Sequence, residues 1–228
     1  VIEKRGIEPL LELLKSLGSW PLLDSNWDEK NFDWLKLVAN LRKYNNDILI
    51  VEYVSADIQN SNNNIIQFDQ TSLGLPTRDY FLKPVNEKYL NSYRNFMTKV
   101  INLMNVDIYE ASDFADEIIE FETNLAKIMS SQQDRTNISV LYQKKTLAEL
   151  QVEIPGIDFI RYLSIVQERT VHGNEKVIMF AKKYMQQLVK LIEKTEPSTV
   201  ANYILWRFVR HRANNLDNRF LEAKQKFY

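Results

Sequence analysis

Apolar residues along this chain recur mainly at helical spacing, broken once by a stretch of strand spacing. Behind Pro9, the positions Ile7, Leu10, Leu11, Leu14 and Leu17 step by three and four and end at Gly18, which predicts a short helix. Phe32, Leu35, Val38 and Leu41 predict a second helix over 31–44, closed by Asn45-Asn46-Asp47. From Ile48 to Ala56 the residues become β-branched and aromatic. Further on, Ile66 and Phe68 alternate with Ile65, Gln67 and Asp69. With the polar loop 57–63 between them, these segments predict one antiparallel hairpin over about 48–70, the only substantial sheet the pattern contains.

Beyond the hairpin the helical period returns. Tyr89, Tyr93, Phe96, Val100 and Leu103 form one seam, and Phe114, Ile118, Phe121, Leu125 and Ile128 form a second. These two helices are expected to pack antiparallel. The stretch 130–140 is polar and non-periodic, a surface loop. Thr146 should cap a short helix, and further helices are predicted over 157–166 and 181–194, with the brief apolar run 177–180 between them. From Pro197 the spacing predicts a long C-terminal helix of about 40 Å at 1.5 Å per residue. Its first half is apolar on most sides, and its second half carries the seam Val209, Ala213, Leu216, Phe220, Ala223 and Phe227, as in a strut leaving the domain. The expected fold is mainly α, a multi-helix lobe with one hairpin, and residues 1–228 read as a single helical unit.

Between strand and helix lies Gln67–Phe81, QFDQTSLGLPTRDYF. Gly74 and Pro76 cannot continue a ladder, so the segment turns, and Tyr80 and Phe81 anchor it. Arg78 and Asp79 suit a buried network that fixes the turn rather than a substrate contact. This run resembles a signature of the neprilysin and endothelin-converting-enzyme family of zinc metalloendopeptidases, in which an Asp-Gln, a Gly-Leu-Pro and an Arg-Asp-Tyr follow one another. Gly6–Leu11, Gly18–Pro21, Leu141–Leu150 and Asn202–Arg207 look like further landmarks in the same order.

The resemblance implies the N-terminal, non-catalytic region of such an enzyme. In the family this region forms much of a helical lobe that encloses the substrate cavity and limits entry to small peptides. It implies zinc in the parent enzyme but none in this chain, with the metal ligands and the glutamate base beyond Tyr228. The partners so implied are the catalytic lobe of the same protein and, in the parent, small peptides. Trp206, Arg207 and Phe220 would then lie on a helix tying two domains together. It also implies an extracellular setting, as a secreted protein or the ectodomain of a single-pass membrane protein, although the chain has no cysteine.

The residues themselves agree with a chain that is inactive alone. A zinc peptidase needs His-Glu-x-x-His, but the two histidines stand far apart, His172 reading as exposed and His211 as solvated or hydrogen-bonded rather than a ligand. Asp116-Glu117 and Glu120/Glu122 read as a solvent face beside the Phe114/Ile118/Phe121 seam. With 29 Lys and Arg against 30 Asp and Glu, the net charge of -1 provides no field for nucleic acid. The arginines around Trp206 and Phe208 are followed by acidic residues, so no nucleic-acid or membrane partner is expected. Asn137-Ile-Ser139 fits a glycosylated surface loop. A free-standing helical binding module is the competing reading, opposed by the apolar seam 209–227, which has nothing evident to pack on.

Overall fold

The computed structural model describes residues 2–227. In chain order the elements are α1 (Ile2–Arg5), α2 (Glu8–Ser16), α3 (Trp34–Lys43), β1 (Ile50–Asp57), β2 (Asn60–Gln70), α4 (Asp79–Leu82), α5 (Glu87–Leu103) and α6 (Ile108–Ile128). There follow α7 (Ile138–Leu141), β3 (Gln143–Thr146), α8 (Leu147–Glu153), α9 (Phe159–Gln167), β4 (Lys176–Met179), α10 (Lys182–Glu193), α11 (Pro197–Arg212) and α12 (Asn218–Phe227). The fold is mainly α with a minor sheet, as the periodicity predicts.

Where the sequence reads as one unit, Cα proximity divides the chain into two compact ones: 1–32 with 73–127 and 195–228, and 33–72 with 128–194. The chain passes between them without a Gly- or Ser-rich linker, so composition gives no sign of the division.

The first unit is helical. α5 and α6 form an antiparallel pair, joined on the surface where Arg94 binds Asp116 at 2.6 Å and Ser112 at 2.6 Å. Tyr93, Phe96, Met97 and Val100 of α5, and Phe114, Ile118, Phe121 and Leu125 of α6, are buried. α11 is buried on most sides from Val200 to Trp206. The C-terminal helix begins at Pro197 as predicted but ends sooner than its apolar spacing suggests. At Leu216 the backbone is extended, and the Asp217 carboxylate accepts the Arg219 N–H at 3.1 Å, starting a new helix. A short side chain that hydrogen-bonds its own backbone competes with helix continuation, and Asn214-Asn215 just before it are weak helix formers. α12 therefore packs on α5, with Phe227 stacked on Phe96 at 4.9 Å. No strut projects; the 209–227 seam is closed within its own unit.

The second unit is built on a mixed four-stranded sheet in the order β1-β2-β4-β3. The β1/β2 hairpin is antiparallel with Ile50 opposite Gln70 and Tyr53 opposite Gln67. The hairpin is not the whole sheet. β4 pairs parallel to β2 at Gln67 and Phe68, and β3 pairs antiparallel to β4. Neither added strand alternates: β3 is four polar edge residues, and Val177–Met179 of β4 are buried without a period that separates strand from buried helix. Phe68 sits edge-on to Phe159 and Tyr162 of α9, at 5.0 and 6.0 Å. Asp33, Thr146 and Asp158 cap α3, α8 and α9 by accepting a backbone N–H three residues on.

Candidate functional site

The turn in the signature is held from above and below. Leu73, Gly74 and Leu75 are buried while Pro76 is exposed. The Arg210 guanidinium donates to the Gly74 carbonyl, and Arg78 Nε donates to the carbonyl of Ala126 in α6 at 3.1 Å. Arg78 and Asp79 do not form the expected joint network. Adjacent residues at the start of a helix point in different directions, and Asp79 instead meets Lys83 one turn on at 3.0 Å. Both partners of that pair are about half exposed, so it adds little. Tyr80 is half-buried and edge-on to Tyr89 at 5.3 Å, and Phe81 is buried against Tyr93.

Gly74 is a glycine for reasons of space. A Cβ there would lie 2.2 Å from the Tyr93 hydroxyl and 2.6 Å from Glu122 Oε1. Both atoms are buried in well-packed surroundings and cannot withdraw freely. Gly74→Ala should therefore lower stability by about 1–3 kcal/mol, the usual cost of overpacking. A urea midpoint equal to that of the unaltered protein would show that the turn can shift.

Glu122 departs from the expectation of a solvent face. It is fully buried. The signal was present: Ile118, Glu122 and Leu125 are themselves spaced four and three, so Glu122 shares the apolar face of α6. The Tyr203 hydroxyl donates to Glu122 Oε2, and Arg207 Nη1 donates to the same oxygen at 3.3 Å and to Tyr203 Oη at 3.1 Å. Next to them, Trp206 Nε1–H donates to the Tyr93 hydroxyl at 2.9 Å, and Arg210 lies over the Tyr93 ring. Burial and the nearby carboxylate push Tyr203 well above the ordinary phenol range. Burial works against the charge of Arg207, yet Tyr203, Glu122 and Tyr93 outweigh it and raise the guanidinium further.

Tyr203, Trp206 and Arg207 fall on one side of α11 because they are spaced three and four apart. Asn202, beside them, accepts the Leu22 N–H at 3.2 Å just after Trp20-Pro21. Two landmark stretches, Gly74–Pro76 and Asn202–Arg207, thus meet in one buried polar cluster. Trp206 and Phe220 are completely buried within the first unit. The broken C-terminal helix explains this, since it turns the seam inward.

The rest of the signature lies in the second unit. Gln70 Nε2 donates to Ser130 O at 3.1 Å and Gln70 Oε1 accepts the Ser130 N–H at 2.9 Å. Asp69 accepts two bonds from Arg135 at 2.5 Å. Burial raises Asp69 above the usual carboxylate value, with Arg135 opposing. Asp57 accepts from Tyr142 at 2.9 Å and Lys144 at 3.0 Å; burial and this bond push Tyr142 up to about 12. The polar loop 130–142 is thereby fastened along the hairpin, and Asn137 on it is exposed.

Glu175 gives a pH-dependent contribution. Arg169 grips it with two bonds at 2.7 and 2.8 Å, and holds its carboxyl down to about 2, from an ordinary 4.5. A carboxylate depressed by folding stabilises above its unfolded value and loses that effect as pH falls toward the folded one. Glu175→Gln should therefore flatten stability against pH between about 4.5 and 2. Equal slopes in acid urea titrations of the two proteins would refute this. The other shifted carboxylates, whether raised by burial as in Asp47 and Glu52 or lowered by ion pairing as in Asp116, are common to both proteins, so the comparison isolates Glu175.

A zinc site does not fit these residues. His172 and His211 are exposed and fall in different units, and among the described residues no group of three His, Cys, Asp or Glu is placed to hold a metal. Burial, then Arg212 and Arg207, lower the His211 value. Among the described residues no helix is long and apolar enough to cross a membrane.

The N-terminal profile of peptidase family M13 matches residues 1–228. The chain belongs to peptidase family M13. Human endothelin-converting enzyme 1 is 38% identical over 99% of the chain, and neprilysin-11 of Caenorhabditis elegans is 33% identical over 96%. The M13 chain spans 30% and 28% of those two relatives. The Mycobacterium tuberculosis zinc metalloprotease ZMP1 in its open state superposes on the whole chain with a TM-score of 0.86 at 21% identity, using 34% of its own length. That likeness establishes the fold.

Proposed function

We propose that this chain is the N-terminal, non-catalytic part of an M13 zinc metalloendopeptidase, a helical lobe that helps to enclose the substrate cavity and restricts it to small peptides. The observation that carries this reading is the match of the entire chain to the N-terminal profile of the family, while the relatives extend to about three times its length. The remainder of the same protein would be its partner and would hold the zinc. The lobe's contribution is a rigid wall: the Glu122 cluster ties turn, α6 and α11 together, and no step of hydrolysis is assigned to its residues. By the same resemblance the protein works outside the cell, secreted or as an ectodomain.

Chelator-sensitive hydrolysis tests this. The full-length protein should cleave short peptides, leave an unfolded protein substrate largely intact, and lose activity with chelator, whereas residues 1–228 alone should cleave neither. Equal cleavage of the long substrate would overturn enclosure. Chelator-sensitive cleavage by residues 1–228 would overturn the non-catalytic assignment. The free-standing module is favoured by one observation, the packing of Phe227 on Phe96, because the seam 209–227 needs no second domain to cover it.

A further inference from the structure

We propose that Asn137 is a site of N-linked glycosylation and that the glycan covers the neighbouring apolar side chains Ile138 and Val140. This rests on the extracellular reading above, since the modification takes place in the secretory lumen. The chain contains one Asn-x-Ser/Thr triplet, Asn137-Ile-Ser139, although asparagine is abundant elsewhere.

Three features of the loop converge on it. Asn137 is exposed, and its backbone (φ -101°, ψ 85°) is non-helical, immediately ahead of the single turn α7. The Ser139 hydroxyl donates to Asn137 Oδ1 at 2.5 Å, so the hydroxyl two residues on already engages the carboxamide. The flanking polar bonds, Ser130 to Gln70, Arg135 to Asp69 and Tyr142 to Asp57, fasten the loop without using Asn137. A bulky group can therefore be added without breaking an anchor. Beside it, Ile138 and Val140 are 49% and 72% exposed, two aliphatic side chains that follow the wholly polar run 130–137. Sugar rings seated there would shield both.

The donor is a lipid-diphosphate-linked oligosaccharide. The carboxamide nitrogen of Asn137 attacks the anomeric carbon, and a C–N bond forms as the C–O bond to the diphosphate breaks. The lipid diphosphate leaves with the electron pair, and the nitrogen gives up one proton.

The test uses the full-length protein made in a eukaryotic cell, digested with peptide-N-glycosidase and mapped by mass spectrometry. Asn137 should be recovered as Asp, and glycan attachment there should vanish in Asn137→Gln and Ser139→Ala but persist in Ser139→Thr. Asn137→Gln should also bind more of a hydrophobic dye, and adding Ile138→Ser and Val140→Ser should reverse that gain. An unmodified Asn137 in a protein glycosylated at other positions would overturn the site while leaving the extracellular reading intact. A protein without glycans anywhere, recovered from the cytosol, would overturn both. Unchanged dye binding in Asn137→Gln would overturn the covering role.

Discussion

Replacing Glu122 with alanine should lower stability by about 3–5 kcal/mol, the cost of breaking a buried pair by removing one partner. The carboxylate accepts from both Tyr203 and Arg207, and it is fully buried, so no water replaces what is lost. Arg207, whose side chain is only 14% exposed, would keep its charge without that counter-charge. Glu122→Gln should cost less, because an amide oxygen can still accept from Tyr203. The cost belongs to the unbalanced pair rather than to the pair's net worth, which sets a sharper expectation: a Glu122→Leu, Arg207→Met double variant should recover more than half of the loss. Urea midpoints at constant slope measure all three. A Glu122→Ala loss under about 1 kcal/mol would mean that the cluster is wetter than its geometry indicates. On the proposed function, zinc content per folded molecule should stay the same, since no ligand lies in this cluster.

The helices could be read because their apolar seams are long: Tyr93–Leu103 and Phe114–Ile128 each hold a 3.6-residue period for several turns. The hairpin could be read because β1 and the distal part of β2 present different faces. β3 and β4 could not, since four residues carry too little period and their pairing comes from distant chain. The same limit hid the break at Asp217. Helical spacing on both sides of 213–217 happens to stay in phase, and only the local chemistry of Asn214, Asn215 and Asp217 marks the stop. The polar cluster was legible in part. Gly74, Trp206 and Arg207 stood out as landmark residues, but the bonds that build the cluster join positions 81 to 136 residues apart. Glu122 was lost by weighing its charge above its place on the α6 face. Arg78 and Asp79 are neighbours in sequence but take separate partners, the Ala126 carbonyl and Lys83.

Trp206→Ala should cost about 3–5 kcal/mol, the range for truncating a large buried aromatic. Trp206 is fully buried, edge-on to Tyr93 at 6.4 Å and to Phe96 at 6.0 Å. Those two rings also carry Phe227, tilted on the first and stacked on the second. Removing the indole leaves a cavity bordered by α5 and α11, and it takes the donor from the Tyr93 hydroxyl, which burial already keeps firmly protonated. Trp206→Phe separates the two effects. It retains much of the ring volume and loses only the indole N–H, so it should cost about 1–3 kcal/mol, the penalty for a buried polar group left short of a partner. Tyr93→Phe in the Trp206→Phe background should then add little, because the hydroxyl has already lost its bond. Additive losses in that double variant would show that the Trp206–Tyr93 hydrogen bond contributes nothing beyond packing. A Trp206→Ala loss no larger than that of Trp206→Phe would show that α12 collapses into the space, with Phe227 moving in where the indole had been.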